Sequence, residues 1–243
     1  AGGERPSGRG PGLTLEGCPP RHTFSYPQLD LTGEQPAPEE RRVQGPAEDE
    51  RPWNECRVLG TVAGRYVVLE IDDGMVLMDP RAAHERVLYE TLLRQAERKS
   101  VARQSLLDPQ TVGLPPRDAE RVRAHGELLK AMGIDVVDFG DDHFMVEALP
   151  ASLGTVDARQ LVLDLVHALE AGGGGHASGW DMRGIARAAS RAAVSHQDRL
   201  HMPELEKLVV DLARCRMPYT CPRGRPTVVF MSHRELDRKF GRV

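Results

Sequence analysis

Between residues 57 and 90 the sequence changes its period at one point, and that boundary constrains the fold more than any other feature. The run RVLGTVAGRYVVLEIDDGMVLMD is rich in β-branched residues and carries an Asp-Asp-Gly turn at 72–74. It predicts a β-hairpin, with Tyr66–Ile71 pairing to Met75–Asp79. Pro80 follows at a position suited to the first turn of a helix. Beyond it Val87, Leu88 and Leu92 form an apolar stripe, so a helix is expected over 80–98.

The rest of the chain alternates in the same way. QSLLDPQTVGL is expected to be extended and broken by Pro109. Pro115-Pro116 leads into a helix over 117–132, with Gly133 as its C-cap. IDVVDFGDDHFMVEAL reads as a second hairpin around Gly140. Leu161, Leu165, Val166 and Leu169 give a helix over 157–170 begun by Asp157. Further helices are expected over 182–195 and 203–214, a strand over 227–231 and a short helix over 232–240. The expected class is α+β, and no internal repeat is visible.

Composition bounds the function. The 243 residues carry a formal charge of -4, so there is no global field for nucleic acid and any such contact needs a local basic patch. Four cysteines without CxxC spacing, no signal-peptide pattern and no apolar run near ~18 residues point to a reducing cytoplasm, without a membrane segment. Residues 1–52 hold half of the prolines and a third of the glycines, so this stretch is expected to be a disordered linker. Order is expected from Trp53. The GGGGH run at 172–176 lacks the Lys and Ser/Thr of a phosphate-binding loop and reads as a connection.

Four separated stretches carry a family resemblance. They are RVLGTVAGRYVVLE with DDGMVLMDPRAAHERVLYE, then QSLLDP, then PRDAERV with LLKAMGIDVVDFGDDHFMVEALP, and CPRGRPTVV. In order and spacing, residues 53–243 resemble the C-terminal domain of the MutL family of DNA mismatch-repair proteins. The resemblance implies a homodimerising domain of two subdomains. The dimerisation subdomain would take 53–103 and 179–243, and a regulatory subdomain 104–178. It also implies an ATP-binding N-terminal domain joined through a linker such as 1–52. The sequence does not begin with Met, and the expectation is a fragment without that ATPase. Implied partners are a second copy, the mismatch-recognition protein MutS, the replication sliding clamp and DNA.

Many members of the family are metal-dependent endonucleases with the signature D-Q-H-A-x-x-E-x-x-x-x-E. Here it reads Asp79, Pro80, Arg81, Ala82, Glu85 and Glu90. The acids are kept, but Arg81 stands in the histidine position. The family's A-C-[KRH] reads Ala189-Ser190-Arg191, and its C-P-H-G-R reads Cys221-Pro222-Arg223-Gly224-Arg225. Ser190 and Arg223 therefore also replace implied ligands, leaving Glu85 and Cys221 as the remaining metal candidates. A guanidinium has no lone pair to give a metal and stays charged at any ordinary pH.

Two readings follow. In the favoured one, arginines supply the counter-charge, through i,i+4 pairs Arg81–Glu85 and Arg86–Glu90, and the domain carries no cofactor. In the alternative, Asp79, Glu85 and Glu90 remain catalytic around Zn²⁺, Mn²⁺ or Mg²⁺ and the domain nicks DNA. His84 and Cys215 are weaker substitute ligands.

Two further features are functional candidates. Gln104, Leu106, Leu107 and Pro109 fit the Q-x-L-x-x-P peptide by which the family is expected to engage the sliding clamp. Arg183, Arg187 and Arg191 recur every four residues, as a solvated face, a phosphate contact or a further counter-charge for the acids.

Overall fold

The computed structural model describes residues 56–171, 180–195 and 201–242. The linker at 1–52, the onset at Trp53 and the GGGGH run lie outside the described residues. The described residues form an α+β fold, as the sequence indicates, with two antiparallel sheets.

The first sheet has the order β1-β2-β3-β7, with β1 Cys56–Val62, β2 Tyr66–Ile71, β3 Gly74–Met78 and β7 Val228–Ser232. The predicted hairpin is β2–β3, in register from Val67↔Met78 to Ile71↔Gly74. Sequence reading missed β1 as a separate strand. It joins β2 through Ala63 and Gly64, both at positive φ, with the Arg65 N–H donating to the Val62 carbonyl at 3.0 Å. Two successive positive φ values make the hairpin turn whose twist matches the strands. Gly74 is required by its neighbour across the sheet: a Cβ there would lie 2.2 Å from the Met231 carbonyl oxygen.

The second sheet has the order β4-β6-β5, with β4 Arg103–Gly113, β5 Asp135–Gly140 and β6 His143–Pro150. Pro109 does not break β4. Instead the register slips between Ser105, paired to Ala148, and Gln110, paired to Val146. Residues 106–109 bulge from this edge strand, the kind of place where a sheet accommodates proline.

The helices are α1 Pro80–Glu97, α2 Pro116–Ala124, α3 Gly126–Ala131, α4 Ala158–Ala171, α5 Met182–Ser195, α6 Met202–Ala213 and α7 His233–Lys239. The helix expected over 117–132 is therefore two. Gly126 favours helix poorly, and His125 leaves helical geometry at φ -112° to stack its ring on Trp180 at 4.9 Å. Gly133 does close α3, at φ 81°.

Two apolar cores result. Val67, Leu69, Val76 and Met78 pack with Leu208 and Leu212 of α6 in one. Val112, Phe144, Val146, Leu161, Leu165 and Ile185 sit in the other. Helix α1 serves both, Ala83 in the first and Leu88, Leu92 and Ala96 in the second, and it packs on α5 and α6. Each fully buried leucine contributes about 1.5–3 kcal/mol. The charged residues of α1 are thus carried on a helix with little unburied surface.

Candidate functional site

The first turn of α1 settles the conformation of Asp79. It is the N-cap, its Oδ1 accepting from the N–H groups of Arg81 at 2.9 Å and Ala82 at 3.1 Å. Its own N–H donates to the Thr227 carbonyl at 2.9 Å, fixing the start of α1 to the segment before β7. An acid here satisfies otherwise orphaned helix donors and complements the helix dipole.

Glu85 is 2% exposed on α1, and both of its oxygens are taken. Arg223 forks onto it, Nε to Oε1 and Nη2 to Oε2, each at 3.2 Å, and Arg225 Nη2 reaches Oε2 at 3.1 Å. These arginines are aimed by a tight turn in which the Cys221 N–H donates to the Arg225 carbonyl at 2.8 Å and the Gly224 N–H to the Cys221 carbonyl at 2.9 Å. The hydrogen bond to Cys221 is the first cause holding Arg225 more firmly charged than a free arginine. Burial opposes it, and the carboxylates of Glu85 and Asp79 add to it.

Glu90 is 8% exposed and is bound differently. It accepts the backbone N–H groups of Arg216 at 2.6 Å and Met217 at 3.1 Å. Arg86, itself buried, approaches Glu90 at 3.6 Å while its Nε donates to the Thr220 carbonyl at 2.6 Å. The two carboxylates of one helix thus grip both ends of the 216–225 segment. Charge-assisted bonds of this kind are roughly twice as strong as neutral ones.

One expected pair is corrected. Arg81 forms no ion pair with Glu85 among the described residues: its side chain is exposed, whereas Glu85 is buried and turned to the 221–225 loop. Arg223 and Arg225 occupy the place assigned to it. Ser190 is fully buried, its hydroxyl donating to the Arg187 carbonyl at 3.1 Å within α5. Cys221 and Cys215 are buried thiols outside any disulfide, Cys215 Sγ donating to the Asp211 carbonyl, and His84 is half-buried on α1.

Among the described residues no three His, Cys, Asp or Glu side chains are placed to hold a metal ion. As arranged, the donors do not fit Zn²⁺, Mn²⁺ or Mg²⁺, since both oxygens of Glu85 and of Glu90 already accept hydrogen bonds. Sequence reading missed Arg225 and the backbone donors at 216 and 217. Arg225 was legible in CPRGR, but main-chain donors leave no trace in residue identity.

The clamp-motif residues lie apart from this cluster in sequence and on the second sheet. Gln104 and Pro109 are exposed, Leu107 is fully so, and Leu106 turns inward against the larger core.

The first sheet presents a second surface. Its inner face takes Val58, Leu69, Val76 and Phe230, which are in register across the four strands. The outer rows hold Val68, Leu77 and Val229, then Met75 and Met231, with the Arg57–Glu70 ion pair on the flank. Val62, Tyr66 and Val229 are each about half exposed, at 51%, 48% and 50%.

An open apolar sheet face accords with the comparison to known proteins. Residues 59–200 match the family model described as the MutL C terminal dimerisation domain. This chain belongs to that family. Among relatives, DNA mismatch repair protein MutL of Thermoanaerobacter pseudethanolicus is 34% identical over 190 residues, covering 78% of this chain and 31% of the relative. Its namesake from Syntrophobacter fumaroxidans is 39% identical over 192 residues, covering 78% and 28%. That of Clostridium perfringens is 32% identical over 194 residues, covering 80% and 29%. The chain therefore spans about a third or less of the curated MutL proteins it matches, and within the described residues no helix is long and apolar enough to cross a membrane.

Proposed function

We propose that this chain is the self-assembly and docking module of a DNA mismatch-repair MutL, and that its acid cluster is structural rather than nucleolytic. The observation that carries the reading is the outer face of the first sheet. An apolar face of this extent on a dimerisation domain calls for a partner, and a second copy of the same face buries both at once. Sedimentation of the 243-residue chain tests it: the expected mass is that of a dimer, and a monomer at micromolar concentration would sink the reading.

The acid cluster supports a module without nuclease activity. A divalent ion entering between Asp79 and Glu85 would have to displace two guanidinium groups from a carboxylate that is almost wholly buried. That exchange leaves a desolvated charge set with arginines facing a cation. Under this reading Arg223 and Arg225 occupy the place of a metal, and the domain needs no cofactor. ATP would belong to an N-terminal domain in the intact protein.

The second reading is metal-dependent strand nicking by Asp79, Glu85 and Glu90, favoured by the retention of all three acids. Supercoiled plasmid incubated with the chain, Mn²⁺ and sliding clamp separates the two. Nicking that disappears in an Asp79→Asn variant would establish the enzyme and refute the structural role.

Clamp docking is supported by the bulge at 106–109, which displays Leu107 from an edge strand with Gln104 exposed beside it. A short peptide of this kind gains affinity from one apolar anchor and a rim hydrogen bond. The division into a dimerisation subdomain of 53–103 and 179–243 and a regulatory subdomain of 104–178 is retained as part of this proposal. MutS is the further partner it implies.

A further inference from the structure

Helix α5 is the most one-sidedly charged element among the described residues. Its 14 residues contain three arginines and no acid, in a chain whose formal charge is -4. Arg183, Arg187 and Arg191 are all exposed, while Ile185, Ala186, Ala189, Ala192 and Ala193 between them are buried. The three make no ion pair with any described residue. That contrasts with Arg57, Arg103, Arg123, Arg223 and Arg225, each of which is tied to a carboxylate.

We propose that the exposed face of α5 is a docking surface for duplex DNA, read through its phosphates. The proposal deepens the mismatch-repair reading by naming where the domain meets DNA. Three guanidinium groups at every fourth residue spread over about 12 Å of helix, the length of three to four phosphates along one strand. The face carries charge and nothing that reads bases.

The surroundings discriminate among anionic partners. Single-stranded nucleic acid is held chiefly by stacking on aromatic rings, and α5 contains no Phe, Tyr, Trp or His. A membrane surface needs an apolar face free to enter the lipid, and the apolar face of α5 is already buried in the protein core. A phosphate backbone asks only for evenly spaced cations.

The test is fluorescence anisotropy of a short labelled duplex with the 243-residue chain, across a salt series. Changing Arg183, Arg187 and Arg191 together to Gln is expected to weaken binding about tenfold or more at low salt. It should also reduce the slope of log K against log salt by about 2–3, given 0.9 per phosphate contact. Changing the same three to Lys should retain the slope, because charge alone is needed. A control with Arg65, Arg98 and Arg234 changed to Gln should leave binding near that of the parent chain.

An unchanged slope in the Gln triple variant, or an equal loss in the control, overturns the proposal. So does stronger binding to single strands or to anionic vesicles than to duplex. Dimer mass measured on the same samples separates this outcome from failure of the assembly reading. If the Gln variant does not fold, the parent chain decides: fewer than about two phosphate contacts in its own salt slope excludes the three-arginine face.

Discussion

The two sheets are built from the same material and end in opposite conditions. Each is antiparallel, and each packs one face on helices. The outer face of the first is apolar along two rows of paired residues, Val68-Leu77-Val229 and Met75-Met231. On the second, the row Thr111-Met145-Val137 is followed by His143 and Glu147, and its edges are tied by Arg103–Asp135 and Arg123–Asp138. The second also exposes Val137 and Phe139 singly beside those ion pairs, whereas the first sets its apolar residues in continuous rows across its strands, an arrangement that a second apolar face can cover. On the proposed reading, the difference assigns self-assembly to the first sheet and clamp docking to the second.

The sharpest way to break this comparison is to exchange the surfaces. Leu77→Asp places a charge in the bare face of both copies and is expected to weaken the dimer at least about 100-fold, because two unpaired carboxylates would be buried per interface. Thr111→Asp, the matching insult on the second sheet, should leave the sedimenting mass unchanged. If Thr111→Asp dissociated the dimer and Leu77→Asp did not, the assignment would be reversed.

Next in size is the arginine clasp. Changing Arg223 and Arg225 together to Gln strands Glu85 in a buried position, and a loss of about 3 kcal/mol is expected, the low end for a broken buried pair because both arginines are partly exposed. Hydrogen exchange should show protection falling in 216–227 and β7 while β4–β6 keep theirs. Uniform loss across both sheets would mean that the clasp serves the whole domain.

A smaller effect is expected at the bulge. Gln104→Ala with Leu107→Ala should change unfolding stability by less than about 0.5 kcal/mol, since both side chains are exposed. Clamp binding measured by calorimetry should be lost. Retained binding would leave the bulge as a feature of β4 alone.

The smallest effect concerns acid. Arg123's hydrogen bond, then the Gly140 N–H, hold the Asp138 carboxyl below its ordinary 3.8. Its stabilising contribution is present above that value and is lost as pH falls through the lower folded value. Asp138→Asn should therefore lower the urea midpoint at neutrality, with the difference from the parent chain shrinking as pH falls through ~pH 4 and vanishing in stronger acid. A parallel shift at all pH values would show that Asp138 acts through packing.

What was legible in the sequence follows from the range of each interaction. The β2–β3 hairpin and α1 are local, decided by Asp72-Asp73-Gly74 and by the Asp79-Pro80 step, and both stand where the residues put them. The break at His125 depends on Trp180, far along the chain, so a continuous helical pattern hid it. In the acid cluster the residue types were readable but their pairing was not. Arg81 lies four residues from Glu85, the shortest helical route, yet buried Glu85 faces a loop from the other end of the domain. The near-continuous apolar run YVVLEI carried an unread signal, because a strand apolar on both faces is covered on both faces.

The pairing of Gly74 with Ser232 has a kinetic consequence. The second sheet closes entirely within residues 103–150, through neighbours in sequence, but β3 must wait for β7 from the far side of that block. Topologies dominated by such distant pairings form slowly. Until β7 arrives, β3 is a bare edge beside the apolar rows, open to the same strand from another molecule. During folding, strand exchange at this edge competes with the arrival of β7 that completes the sheet and its outer face.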